Sequence, residues 1–439
     1  MDKKALKQAV IREIDRRKEE LVAIGNALYD MPETGFQEYR SSAYAEELLR
    51  KLGLDVETGI AITGLKAKAP GRSHDRCVGV MGELDALVMP THCRADKETG
   101  NAHACGHHAQ VVMMLGVAMG LVGSGVMEHL DGDVAFLAVP AEEVIEIDWR
   151  KEQIEAGKLR FLGGKQEFIR LGALEDVDAV LGSHLSTTPE INTFRHSASY
   201  NGVINKSIRF FGKSAHAANV DLGVNALHAA VQAINNINAL RDTFPVEETA
   251  LVHYIITKGG DSPNIIPDDA RMELGVRASS VTFMVELSKK VDRAIRAGAE
   301  AIGAQVEITD TGAYLPTHTD RTFNLLFERN AEALVGMGKV LDASDLHRRS
   351  STDVGEIASY RPVSYSNFGG AVGTPHMTDF DVSDPEFAYV EPAKAIAMTV
   401  IDLLAEGGGE LDRIKAQYEP VFRTKEEYLN FYEDLFRKD

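Results

Sequence analysis

An α/β fold with a mostly parallel central sheet, interrupted by a small inserted domain, is what this sequence predicts. Two observations lead there. Helical periodicity alternates with short, continuously apolar runs through the first part of the chain, the pattern of strands buried on both faces of a sheet. From residue 203 the order changes to β-α-β-β-α-β, and after residue 312 the α/β character returns. A chain of 439 residues also exceeds what one hydrophobic core usually organises. Three segments follow: 1–198 and 313–439 as the two parts of a large domain, and 199–312 as the insert.

Taken in order, residues 5–29 carry a charge every few positions and read as an amphipathic helix, not a signal peptide. A second helix is expected over 41–53, where YAEELLRKLGL spaces its leucines at helical intervals. CVGVMGEL, GDVAFLAVP and VDAVLGSH are the expected buried strands. VVMMLGVAMGLVGSGVM (111–127) is interrupted by glycine and serine and bounded by polar loops, so it reads as a buried helix, not a membrane span. In the insert, strands are expected at VINKSIRFF, ALVHYIIT, ARMELGVRA and AQVEIT. One helix carries Leu227, Ala230, Val231, Ile234 and Ile237 on a single face, and another spans 281–302. This is a ferredoxin-like βαββαβ arrangement. VSYSNFGG is a further strand, and 391–405 a long terminal helix.

Composition narrows the function. The formal charge is −19, with no long run of lysine or arginine, so nucleic acid is not an expected partner. An acidic substrate would need a local arginine or lysine to be held. Three cysteines, Cys77, Cys93 and Cys105, are too few for a disulfide framework and suit a reducing cytoplasm. No membrane association is expected.

The segment HACGHHAQ (103–110) concentrates metal-binding residue types, yet Cys105 and His107 stand too close to form a zinc-finger pair, and Cys77 and Cys93 lack C-x2-C partners. Other ligand-capable residues follow apolar strands: AVPAEE ends on Glu142 and Glu143, LGSH on His184, and GTPHM offers His376. Open α/β sheets build their sites at the carboxyl ends of strands, and together these residues point to a metal centre. Adjacent carboxylates diverge, so one can bind metal while its neighbour accepts a proton from water. GKS at 212–214 lacks the glycine a phosphate loop needs, since Ser207 stands there; G-x-S-x-G and G-x-G-x-x-G do not occur.

MPETGFQEYRSS, GELDAL, ACGH, PAEE, GKSAHAA, HYIITKGGDSPNIIP and SSTDVGE, in that order, resemble the dinuclear metallopeptidases that include aminoacylases, glutamate carboxypeptidases and hippurate hydrolase, and most of all their aminobenzoyl-glutamate hydrolase-like amidohydrolases. The resemblance covers residues 25–405. It implies a zinc-peptidase-like catalytic domain and a dimerisation or lid domain. It further implies two divalent ions, Zn2+ or Mn2+, on Cys105, His107, Glu143, His184 and His376, with Cys105 bridging. Glu142 is then the general base and Asp85 orients a ligand. His216 reaches the neighbouring subunit's site in a homodimer, with Asn264 and Arg277 as substrate-binding partners. The chain departs from the family at His108 and Gln110, where relatives carry aspartate and histidine, and at Pro375, which is followed directly by His376. After PAEE comes an additional charged stretch, VIEIDWRKEQIEAGKLRF, holding the only tryptophan, Trp149. The expected activity is hydrolysis of an N-acyl or N-aroyl amino acid, a small-molecule substrate, by a metal-activated water. An aminohydrolase releasing ammonia from an aromatic amine, and a catalytically silent binding or scaffold protein, are the alternatives.

Overall fold

The computed structural model describes residues 1–187 and 192–436. The chain divides into two compact units. The first comprises Met1–Ala198, His318–Leu346 and Ile357–Lys425. The second comprises Ser199–Thr317, His347–Glu356 and Glu426–Asp439.

The first unit is built on an eight-stranded sheet. Its order is Asp55–Ile60, Gly64–Ala69, Asp133–Val139, Cys77–Glu83, Ala179–Leu185, Val363–Phe368, Phe194–His196, Val340–Asp342. The four central strands run parallel. Their residues are almost wholly buried on both faces, which explains why they read as unbroken apolar runs. Antiparallel pairing is confined to the flanks, where Asp55–Ile60 and Gly64–Ala69 form a hairpin.

Of the apolar stretch at 111–127, residues up to Gly123 lie in the helix His107–Gly123, which is buried from His107 to Leu121; the remainder turns at Ser124 and Gly125 into the short 3-10 helix Val126–His129. Gly82 allows this helix to lie against the strand Cys77–Glu83, because a Cβ there would stand 2.8 Å from the Gln110 carbonyl oxygen. Among the described residues no helix is long and apolar enough to cross a membrane. The expected N-terminal helix is two, Lys3–Arg16 and Lys18–Tyr29. They break at Arg17, whose N–H is shared between the Glu13 and Ile14 carbonyls in a tightened turn. Leu6, Val10, Ile14, Leu21, Ile24 and Leu28 still line one buried face. The helices Arg321–Val335 and Gly409–Gln417 complete this unit beside Glu391–Leu404.

In the second unit the order is Gly202–Phe211, Ala226–Leu240, Leu251–Lys258, Asp269–Ala278, Val281–Ile302, Gln305–Tyr314, the βαββαβ pattern. Its sheet is antiparallel, with Gly202–Phe211 between Asp269–Ala278 and Gln305–Tyr314 and with Leu251–Lys258 at an edge. Alternate residues Ile204, Ile208 and Phe210 face the core. The last helix is tied to this unit through Tyr428 and Tyr432, whose hydroxyls donate to the buried Glu356 carboxylate.

Candidate metal centre

Cys105, His107, Glu142, Glu143, His184 and His376 all lie in the first unit, and the fold brings their donor atoms together. Three trios each have their donor atoms within 4.8 Å of one another: Cys105, His107 and His184; Cys105, Glu143 and His376; and His107, Glu142 and Glu143. Cys105 is common to the first two.

Local backbone geometry explains how residues so close in sequence converge. Gly106, between Cys105 and His107, has φ 101° and caps the helix that His107 begins. A Cβ there would meet Leu185 Cβ at 2.9 Å, so the turn requires glycine on both counts. Ala141 (φ 55°) turns the chain sharply after the strand Asp133–Val139 and brings Glu142 and Glu143 to the cluster, where a carboxylate oxygen of each lies within 4.8 Å of the other and of His107. His376 also has positive φ, 64°, and its N–H donates to the Ala104 carbonyl at 2.8 Å. Non-glycine residues in this region carry strain that the surrounding structure must hold.

Two of the three imidazoles, His107 and His184, are oriented through their second nitrogen. His107 Nδ1 lies 3.0 Å from the Asp85 carboxylate, and His184 Nδ1 lies 2.6 Å from the Leu185 carbonyl. Donation from these nitrogens leaves both Nε2 lone pairs directed at the cluster, the usual arrangement of metal-binding histidines. His107 Nε2 and Glu143 Oε1 are sealed from solvent and make no well-directed hydrogen bond, although Glu83 Oε2 is 3.3 Å from the former and His376 Nε2 2.9 Å from the latter. Buried polar atoms left in that condition are costly. A thiolate, three imidazoles and a carboxylate suit a divalent ion of intermediate softness, so the residues present fit a metal site.

Electrostatics agree. Burial raises the Cys105 thiol, but His107 and His184 outweigh it and hold the group well below its ordinary value, favouring thiolate. His376 is pushed up to about 10 by its close approach to the Cys105 sulfur and the Glu143 carboxylate. Burial, then the Cys105 charge, raise Glu143.

Asp85 is fully buried and does two things at once: Oδ1 faces His107, and Oδ2 accepts the Glu143 N–H at 2.8 Å. His108 turns away from the cluster into the core, stacked on Tyr29 at 4.3 Å and hydrogen-bonded to the Tyr389 hydroxyl. Gln110 donates to Glu83, which also pairs with the buried Lys165.

The second unit carries the remaining expected residues. His216 and Asn264 are exposed neighbours: Ala217 N–H donates to the Asn264 carbonyl at 2.9 Å, and His216 bridges Ile265. Arg277 lies at the opposite end of this unit's sheet. It is paired in register with Val203, whereas the His216–Asn264 pair lies beyond Phe211 and Asp269. Ten residues of strand separate the ends, about 30 Å. Within one chain these three are not brought together.

Sequence reasoning missed Glu38, Glu83, Arg150 and Lys165, all fully buried. Glu38 lies within MPETGFQEYRSS and its Oε1 accepts the Ala141 N–H at 2.9 Å. Burial, then Asp85, push its carboxyl up to about 8. A charged residue on an otherwise apolar strand was the available signal for Glu83; Arg150 is hidden among the solvated charges of its helix.

Known proteins place this architecture. Residues 199–302 match the peptidase dimerisation domain of the M20 family. The Xaa-Arg dipeptidase of Mus musculus is 29% identical over 438 residues, covering 95% of each chain. An N-acyl-L-amino acid amidohydrolase of Geobacillus stearothermophilus is 26% identical, over 71% of this chain and 80% of its own. A Bacillus subtilis structure described as a dinuclear metal-binding peptidase of the M20 family superposes with a TM-score of 0.70 at 22% identity, over 89% of this chain and 99% of its own.

Proposed function

Because the chain is a metal-dependent hydrolase akin to the M20 peptidases, we propose that it hydrolyses the amide bond of an N-acyl or N-aroyl amino acid, aminobenzoyl-glutamate or a compound like it. It works as a cytoplasmic homodimer and engages neither nucleic acid nor membrane. The observation that carries the reading is the division of labour available to Glu142 and Glu143. Glu143 shares one trio with Cys105 and His376 and another with His107 and Glu142, whereas Glu142 belongs only to the latter.

Cys105, His107 and His184 would hold one divalent ion and Cys105, Glu143 and His376 a second, zinc or manganese in each case. Bound there, the ions supply Lewis acidity that polarises the scissile carbonyl and lowers the pKa of water. Glu142 accepts the proton of the attacking water and returns it to the leaving amine nitrogen. Asp85 fixes the His107 ring and the Glu143 backbone together. His216 of the partner subunit donates to the developing oxyanion, with Asn264 beside it.

Arg277 binds the substrate carboxylate. Its guanidinium donates to the Ser351 hydroxyl at 2.6 Å, and among the described residues no carboxylate pairs with it; burial alone lowers its pKa. A half-buried cation without a counter-ion is suited to an anionic ligand.

The test is a panel of N-acyl and N-aroyl amino acids, each with its uncharged carboxamide analogue, against protein reconstituted with zinc, manganese or cobalt. Release of the free amino acid from the acids alone is the expected result. Ammonia release from an aromatic amine, with no amide cleaved, would replace this reading with an aminohydrolase.

A further inference from the structure

The charged stretch after PAEE does more than cover the surface. In its helix, Ile147–Glu155, the residues are exposed or half-buried except Arg150, the one buried residue. Arg150 is 0% exposed, and among the described residues it makes no ion pair. Its hydrogen bonds go to backbone carbonyls: Nη1 donates to Leu162 and Nη2 to Glu143, both at 2.6 Å. The guanidinium lies over the Phe36 ring at 5.2 Å, and a Cβ on Gly35 would stand 2.4 Å from Nη2, so the chain closes tightly around it. The Asp85 carboxylate acts on it only through space, without contact. Burying a guanidinium with no contacting carboxylate is expensive, and its hydrogen bonds to the two carbonyls have to offset that cost.

What they hold is the turn bearing Glu142 and Glu143. Three buried charged side chains grip its backbone. Glu38 accepts the Ala141 N–H, Asp85 accepts the Glu143 N–H at 2.8 Å, and Arg150 donates to the Glu143 carbonyl. Phe36, Ala141 and Glu146 all have positive φ, at 64°, 55° and 53°. Phe36 stacks on Arg150, Ala141 opens the turn and Glu146 caps the arginine's helix. Strained backbone of this kind relaxes unless it is pinned.

We infer that Arg150 is a positioning residue: delivered by the helix Ile147–Glu155, it pins the Glu143 carbonyl and so fixes where the Glu142 and Glu143 side chains point. The inference rests on the proposed metal-dependent reading of this site. Arg150 touches neither substrate nor metal in this role. The planar fork reaches two carbonyls at once from its place over the Phe36 ring, a combination a lysine ammonium cannot reproduce.

The test follows cobalt(II) binding to the full-length protein by visible absorption, which needs no substrate. Arg150→Ala is expected to weaken cobalt binding about tenfold or more, as loss of a metal site's supporting shell typically does. Millimolar guanidinium should restore the affinity, and methylammonium should not. Arg150→Lys should keep the fold and remain weakened. If a cleaved substrate is in hand, kcat should fall in both variants more than KM rises.

Wild-type cobalt affinity and kcat in Arg150→Ala would overturn the inference, as would folded Arg150→Ala that guanidinium leaves unchanged. Should Arg150→Ala not fold, Arg150→Lys decides: wild-type affinity and turnover overturn the inference, and weakened binding in a folded protein supports it. Failure of the wild-type protein to cleave any N-acyl amino acid would remove the proposed reaction while leaving the cobalt result standing. Failure of the wild-type protein to bind cobalt would remove both.

Discussion

At the scale of single residues, the site gives two neighbouring carboxylates different partners: both adjoin His107, but only Glu143 also adjoins Cys105 and His376. Glu143 is held at both ends of its peptide, by Asp85 at the N–H and Arg150 at the carbonyl, and its side chain meets His376 at 2.9 Å. Glu142 shares no trio with Cys105. Glu142→Ala is therefore expected to keep its metal and lose turnover by about 10²–10⁴-fold, the range for a general base. Glu143→Ala is expected to lose metal as well. Metal content by elemental analysis, measured beside kcat, checks the pair, and equal metal loss in both would undo the assignment. Arg277 makes a second case. With Ser351 as its partner and no carboxylate paired with it among the described residues, its removal leaves no counter-ion stranded there, so Arg277→Ala should fold. KM should rise by roughly 1.5–3 kcal/mol, the worth of a charge-assisted bond, with kcat less affected. A carboxamide substrate cleaved as well as the acid by the unmutated protein would contradict it.

At the scale of elements, much was legible because the chain spells out its periods. The helix Val281–Ile302 begins and ends where the pattern placed it, with Ser280 capping its start and Gly303 in the left-handed conformation at its end. The strand ends that carry candidate ligands were legible for the same reason, since unbroken apolar runs stop abruptly at PAEE and GSH. The pinning of those ends was not. Glu38, Asp85 and Arg150 act through backbone N–H and carbonyl groups, which leave no mark in a residue pattern, and they meet from positions 112 residues apart. The strand Asp269–Ala278 offers a prediction of its own. Burial raises the Asp269 carboxyl, but hydrogen bonds from Arg209, Arg271 and Lys258 outweigh it and lower it from 3.8 to about 2. A depressed acid stabilises the fold above its unfolded value, and the contribution is lost as pH falls through the folded one. Asp269→Asn should thus be less stable than wild type at neutral pH by about 1 kcal/mol or less, because the cluster is screened by solvent. The gap should close between about pH 4 and pH 2. Urea unfolding at several pH values measures it, and a gap that stays constant with pH would rule the cluster out as its source.

At the scale of the whole molecule, the question is how residues in two units serve one reaction. The ligand cluster belongs to the first unit, whereas His216 and Asn264 belong to the second and lie a strand's length from Arg277 of the same chain. A homodimer resolves the separation, because symmetric pairing lets one subunit lend what the other lacks, and residues 199–302 match a dimerisation domain. On this model Glu142→Ala and His216→Ala homodimers are each nearly inactive, for different reasons. In a mixed dimer one site takes Glu142 from the His216 variant and His216 from the Glu142 variant, and is intact; the other site carries both defects. Random exchange of equal amounts makes about half the dimers mixed, and half the sites in those are whole, so roughly a quarter of wild-type activity should return. Mass measurement of the dimers confirms that exchange has happened before activity is read. Full exchange with no recovery would mean that His216 acts within its own chain or not at all. Recovery near a quarter requires sites completed across the dimer, since two same-chain defects cannot repair each other by exchange.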